Sequence, residues 1–192
     1  MRFVVCEATT EDEVQRCRKL AASVHQIAAE PADGWPDRWL MGLAENQLVA
    51  TIGLTRREGC VRWFLGPHAF SLAQALTEAD ARELVELRLL AVAPGLRGYR
   101  FARLLVAVAY SRGFLAPSGH VPAVIQFGPP AVFRALERLF QVQTKLVGRC
   151  GDGELRVLVP ERDVPRPILD QVLPAELGAA AFGRPRRLVL VS

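Results

Sequence analysis

"LVELRLLAV", residues 84–92, runs without a break into "APGLRGYRFARLLVAVAYSRG", residues 93–113, and the reading of this joint decides the fold. The first stretch is nearly all apolar, with Glu86 and Arg88 embedded in it. Such a run suits a central strand whose polar residues face a site rather than solvent. The second stretch predicts a helix. Phe101, Leu104, Leu105 and Val108 recur at helical intervals, and Gly113 is a natural stop. Arg97, Arg100 and Arg103 crowd the handover from strand to helix. A helix N-terminus already carries partial positive charge and unpaired N–H groups, so added cations point to an anion docked there. The alternative is a solvated basic helix face.

Upstream, "RFVVCE" (residues 2–7) reads as a short strand. Thr10 and Glu13 then stand at capping-box spacing, and Val14, Cys17, Leu20, Ala21, Val24 and Ala28 follow at helical intervals. "PADGWPD" ends that pattern with turn formers. "RWLMGLAENQLVATIGLTRRE" predicts a hairpin turning at Glu45–Asn46. In residues 56–84, "CVRWFLG" suits a strand or a loop, and "AFSLAQALTEADARE" looks helical. Downstream, "VPAVIQF" is a strand, and "GPPAVFRALERLF" opens a helix on prolines with Val132, Phe133, Leu136, Leu139 and Phe140 on its apolar face. "QVQTKLVG" and "GELRVLVP" predict two closing strands around a turn-rich linker, "RCGDG". The expected architecture is a mixed α/β (α+β) sheet flanked by helices. Residues 84–127 would form a right-handed parallel β-α-β crossover.

At 192 residues the chain suits one domain with a real core, residues 1–160. Residues 161–192, rich in proline and alanine, read as an extension packing on that domain or on a second subunit, which would make a homodimer. The composition, 51% hydrophobic and 23% charged, is that of a globular protein. The net charge of +4 is carried almost wholly by arginine. It fits a phosphate-bearing small ligand, and the wide basic stripe with exposed aromatics of a nucleic-acid binder is not there. Cys6, Cys17, Cys60 and Cys150 lie at scattered spacings, so reduced buried thiols are expected, with no metal site. No signal peptide or membrane span is recognisable, and a cytoplasmic protein is expected.

The residues "LAVAPGLRGYRFARLL" resemble motif A of the GCN5-related N-acetyltransferases (GNATs), where a central strand leads through an R/Q-x-x-G-x-G/A turn into a helix. Arg97 matches the leading residue and Ala102 the last, while Arg100 stands where the middle glycine is expected. The resemblance covers roughly residues 1–160. It implies a mostly antiparallel sheet with one parallel crossover, and acyl transfer from acetyl-CoA or a longer acyl-CoA to an amine of a small molecule or peptide. It further implies that Arg97, Gly98, Tyr99, Arg100, Phe101, Ala102 and Arg103 wrap the pyrophosphate of coenzyme A. "ENQLVATIGL", "VELRLLAV" and "LVGRCGDGELRVLVP" are also similar to the acyl-homoserine-lactone and N-acyl amino acid synthases. Those enzymes take acyl chains from acyl carrier protein or acyl-CoA. Of their strand motif E-x-S-R-x-x-V, Glu86, Leu90 and Val92 fit, with Arg88 and Leu89 at the Ser and Arg positions.

Attack of an amine on a thioester needs a base, a polarised carbonyl and a carrier site. Glu86, flanked by Val85 and Leu87, is the candidate general base, since apolar surroundings raise a carboxyl pKa toward useful values. Its alternative role is a salt bridge to Arg88 on the same strand face. Backbone N–H groups of Leu90, Ala91 and Val92 are candidates for polarising the carbonyl. His25, Trp35, Trp39 and Arg88 are candidates for holding the acceptor, with packing as the alternative for the tryptophans. The tyrosine that often protonates the leaving group in this superfamily is replaced, at the matching position, by Leu136. A catalytically degenerate binding domain is the remaining alternative.

Overall fold

The Thr10–Glu13 pair starts a helix as its spacing predicts. The Thr10 side chain accepts from the Glu13 N–H at 3.3 Å while the Glu13 carboxylate accepts from the Thr10 N–H at 3.1 Å. Helix α1 (Glu11–His25) follows, and Gln26 ends it in the left-handed conformation, φ 56°. The computed structural model describes residues 2–28, 31, 34–55, 84–96, 101–102, 105–106, 109, 123–140, 143–158 and 187–191. The expected elements in residues 56–83, the arginines 97, 100 and 103 with Gly98 and Tyr99, Cys60, and most of the 161–192 extension lie outside these residues.

The strands are β1 (Arg2–Glu7), β2 (Arg38–Ala44), β3 (Gln47–Thr55), β4 (Leu84–Val92), β5 (Ala123–Gly128), β6 (Thr144–Cys150), β7 (Gly153–Leu158) and β8 (Arg187–Val191). Helix α2 spans Pro130–Phe140, and residues 101, 102, 105, 106 and 109 are helical. The fold is the mixed, mostly antiparallel α/β class, with β4 and β5 as its parallel pair.

The chain divides into two units, and β4 belongs to one up to Leu87 and to the other from Arg88. The first unit carries β1, β2, β3, β8 and α1. Its strands follow the order β3-β2-β1-β8, with β2 and β3 joined at Glu45–Asn46. Both turn residues adopt positive φ, 47° and 66°, the geometry that matches the twist of a two-residue hairpin. Strand β8 pairs antiparallel with β1 of the same chain, Arg2 opposite Val191 through Cys6 opposite Arg187. One face of β2 packs on α1. Cys17, Ala21, Trp39, Met41 and Ala91 form the buried cluster, with Leu89, Trp35 and Leu20 against it. That is the stripe the helical spacing of Cys17 and Ala21 anticipates.

The second unit carries β5, β6, β7 and α2. Strand β7 lies antiparallel between β5 and β6, and Phe133 and Leu136 of α2 are buried. The expected linker "RCGDG" shrinks to a turn at Gly151–Asp152, because Arg149 and Cys150 remain in register with Glu154 and Gly153. The expectation of buried thiols holds for Cys17 and not for Cys150. Cys17 is buried, and loss of water pushes its pKa up to about 11, whereas Cys150, at the end of a hairpin strand, is exposed. No helix among the described residues is long and apolar enough to cross a membrane.

Candidate functional site

Strand β4 carries the site candidates in chain order, and its backbone changes character midway. Leu84–Leu87 pair in parallel with Ala123–Gln126, which sets Glu86 beside Ile125. Glu86 is only 5% exposed, and its neighbours Val85 and Leu87 are buried with it. The carboxyl group there is largely withdrawn from water.

Leu89 follows with φ 53°, a left-handed conformation in a residue that carries a Cβ. Such a residue costs about 1 kcal/mol or more and persists only where its surroundings demand it. Two contacts in the first unit supply the demand. The Leu89 side chain packs on the α1 cluster. The His25 ring Nε2–H donates to the Leu90 carbonyl at 3.0 Å, joining residues 65 apart in sequence. Beyond the kink, Ala93 N–H donates to the Val49 carbonyl of β3 at 2.8 Å. Because N–H groups alternate along an extended strand, those of Val92 and Leu90 are directed away from β3.

The turn between α1 and β2 lies across this region. A Cβ on Gly53 would sit 2.2 Å from Pro36 Cγ and 3.3 Å from the Arg88 carbonyl oxygen, so the absence of a side chain at residue 53 is what admits the proline ring. Arg88 Nη1 donates to the Gly34 carbonyl at 3.4 Å. Trp35 follows Gly34, its ring 6.1 Å from that of Trp39 and tilted by 48°. Trp39 is fully buried, and its indole Nε1 has no hydrogen-bond partner among the described residues. The Arg18 guanidinium lies 5.9 Å from the Trp35 ring centroid. Beside it, Gln15, Arg18, Lys19, Ala22 and Trp35 line a shallow cavity of about 300 Å³.

The candidates therefore fall into groups. His25 meets Leu90, Trp35 meets Trp39, and Arg88 meets the backbone just before Trp35. Phe101 and Ala102 are helical and half-buried, and Leu105, Val106 and Ala109 further along the same stretch are buried. Leu136 is buried in α2. Three features of β4's surroundings were not anticipated from the residues: the Leu89 kink, the Pro36–Gly53 contact and the hydrogen bond from His25 to the backbone. "GWP" marks a turn but not what it covers, and nothing near Leu89 signals a left-handed residue.

The second unit holds its own polar cluster. Arg156 donates from Nε to Glu154 Oε2 at 2.8 Å, and from Nη1 to Thr144 Oγ1 at 2.7 Å and to Glu137 Oε1 at 3.4 Å. Its guanidinium also lies over the Phe133 ring, 5.5 Å from the centroid. Arg149 reaches Glu154 Oε1 at 3.2 Å, and the Thr144 hydroxyl donates to Glu137. The bonds from Arg156, and next those from Arg149, hold the Glu154 carboxyl below its usual pKa.

No protein-family model matches the chain, and no curated protein matches it. Solved structures do. FeeM, an N-acyl amino acid synthase from uncultured soil microbes, is 15% identical with a TM-score of 0.62, over 89% of this chain and 98% of that one. BjaI, a CoA-dependent acyl-homoserine lactone synthase, is 12% identical with a TM-score of 0.67, over 93% and 98%. Escherichia coli ElaA is 12% identical with a TM-score of 0.55, over 82% and 99%. At these identities the likeness is one of fold. The chain has a GNAT-like fold, similar to that of these N-acyl amino acid and acyl-homoserine lactone synthases.

Proposed function

We propose that the protein is an N-acyltransferase that passes an acyl group from acyl-CoA directly to an amine. The observation that carries this is the buried Glu86 carboxyl on β4, three residues before the left-handed Leu89, in an acyltransferase fold. Glu86 takes a proton from the incoming ammonium, directly or through one water. The amine nitrogen then attacks the thioester carbon. The carbonyl electrons move onto oxygen, and a backbone N–H in the Leu90–Val92 segment stabilises the resulting oxyanion. The nitrogen gives up its surplus proton to solvent, and collapse re-forms the carbonyl, breaks the C–S bond and releases the thiolate of coenzyme A. That thiolate is a good enough leaving group to depart without the tyrosine that Leu136 replaces.

The carrier phosphates go to the segment Arg97–Arg103, where arginine forks can grip paired oxygens. Arg100, in place of a glycine, would contact them through its side chain. Trp35, Arg88 and His25 belong to the acceptor end, while Trp39, fully buried, takes the packing role. Acyl carrier protein as donor, with an acyl amino acid or acyl-homoserine lactone as product, is the alternative. The likeness to FeeM and BjaI supports such a product, whereas BjaI, being CoA-dependent, favours coenzyme A as the carrier. Arg100 and Leu136 also favour a domain that binds ligand without turnover.

Thermal denaturation with acetyl-CoA, a long-chain acyl-CoA or free coenzyme A tests the proposal. At a hundred times its dissociation constant, a ligand adds roughly 2.7 kcal/mol of stability. The expected outcome is stabilisation that disappears in the Arg97→Ala/Arg100→Ala double variant. No shift with any of the three ligands rules out the coenzyme A proposal.

A further inference from the structure

We infer that His25 is a positioning residue, which fixes the β4 backbone at Leu90 so that the reacting edge of the strand presents N–H groups to the thioester oxygen. The inference rests on the acyl-transfer function proposed above and names a residue that acts on it through the main chain.

The physical problem begins at Leu89. A left-handed residue inside a strand interrupts the regular ladder, and a carbonyl beside such an interruption needs a partner from elsewhere. The Leu90 carbonyl finds it in the His25 imidazole N–H at 3.0 Å. Leu90 C=O and Val92 N–H lie on the same side of the strand, opposite the side that Ala93 N–H uses toward Val49. An oxyanion forming against the Val92 N–H would therefore have the Leu90 carbonyl oxygen, itself partially negative, as a neighbour on that edge. The hydrogen bond from His25 draws on that oxygen's electron density and lowers the repulsion. It also fixes the plane of the Leu90–Ala91 peptide, because carbonyl and N–H are rigidly opposed across a trans peptide bond.

The histidine is itself well held. It is the last residue of α1, and the left-handed Gln26 closes the helix directly behind it with its N–H on the Ala22 carbonyl. Cys17 and Ala21 of the same helix pack with Leu89 and Ala91, which joins helix and kink through one cluster. His25 itself is exposed, so its contribution to packing is small.

The test compares wild type, His25→Ala and His25→Gln, the last retaining an N–H donor at similar reach. Steady-state kinetics with the preferred acyl-CoA are combined with calorimetric binding of free coenzyme A and with melting curves. His25→Ala is expected to lower kcat by about tenfold to a hundredfold, below the loss seen on removing an oxyanion donor outright. Coenzyme A affinity and melting temperature should stay close to wild type, and His25→Gln should recover most of the rate. An unchanged kcat in His25→Ala, or a His25→Gln variant as slow as His25→Ala, overturns the inference. If the wild type turns over no thioester, the proposed function fails instead. Amide hydrogen exchange then decides on His25 alone: faster exchange at Leu90–Val92 in His25→Ala but not in His25→Gln supports its hold on the strand, and equal exchange in all three overturns it.

Discussion

The β6–β7 hairpin with α2 and the β4 kink with α1 treat polar groups in opposite ways. Around Arg156, each charge meets another side chain: Glu154 is shared between two arginines, and Glu137 and Thr144 close the remaining bonds. Such a cluster is expensive to break and has little left over for a ligand. At the β4 kink the side-chain bonds run to the main chain: one exposed histidine at a helix end holds the Leu90 carbonyl, and Arg88 donates to the Gly34 carbonyl. That arrangement sets geometry at small cost in stability. The difference teaches where to look for each property: stability in the closed network, chemistry at the strand that keeps N–H groups directed outward.

The largest effect that would sharpen this contrast is expected from Arg156→Met. It leaves Glu154 with Arg149 as its described partner and should lower the melting temperature by roughly 10 °C. A shift no larger than that of His25→Ala breaks the comparison. The same variant has a pH signature. The folded-state pKa of Glu154 lies below its unfolded value, so its contribution is present above the unfolded carboxyl pKa and fades as pH falls through the lower folded one. Wild type should therefore lose stability on acidification below about pH 4.5. Glu154→Gln should show a shallower loss, measured as urea midpoints between neutral and acid pH.

Gly53→Ala comes next. The new Cβ meets the rigid Pro36 ring at 2.2 Å, which must shift and carry Gly34 and Trp35 with it. A loss of about 2 kcal/mol is expected from overpacking, with quenching of the tryptophan fluorescence altered in parallel. Gly153→Ala makes the instructive control in the other unit. Its Cβ would also come within 2.2 Å of a ring, but that ring is the Phe127 side chain, 38% exposed and able to turn aside. Urea unfolding of the two variants should rank them in that order. Smallest is Thr10→Ala, which removes one half of the capping box and should cost about 1 kcal/mol by the same measurement.

Much of the architecture was legible because it is written in short-range periodicity. The capping box announced α1, the paired left-handed residues Glu45–Asn46 sat where the hairpin was expected, and the apolar run 84–92 coincides with β4. The linker before β7 was overestimated because Gly151 and Gly153 look alike in sequence, yet only Gly151 adopts positive φ. In the candidate site, the identity of Glu86 as a buried carboxyl was readable from its apolar flanks. The contact of His25 was not, since a histidine at a helix end gives no hint of a carbonyl 65 residues away.

The sequence by itself determined β1 to β7, α1 and α2, where α1 begins, and which carboxyl group is enclosed by apolar neighbours. Side-chain period and capping chemistry act over a few residues and need no tertiary partner. Only the tertiary structure decided that Leu89 turns left-handed, that Pro36 rests on Gly53, and that β8 joins β1. Each of these is a local cost or an open edge. Each is settled by contacts between segments far apart in the chain, and such contacts exist only once the fold has brought them together.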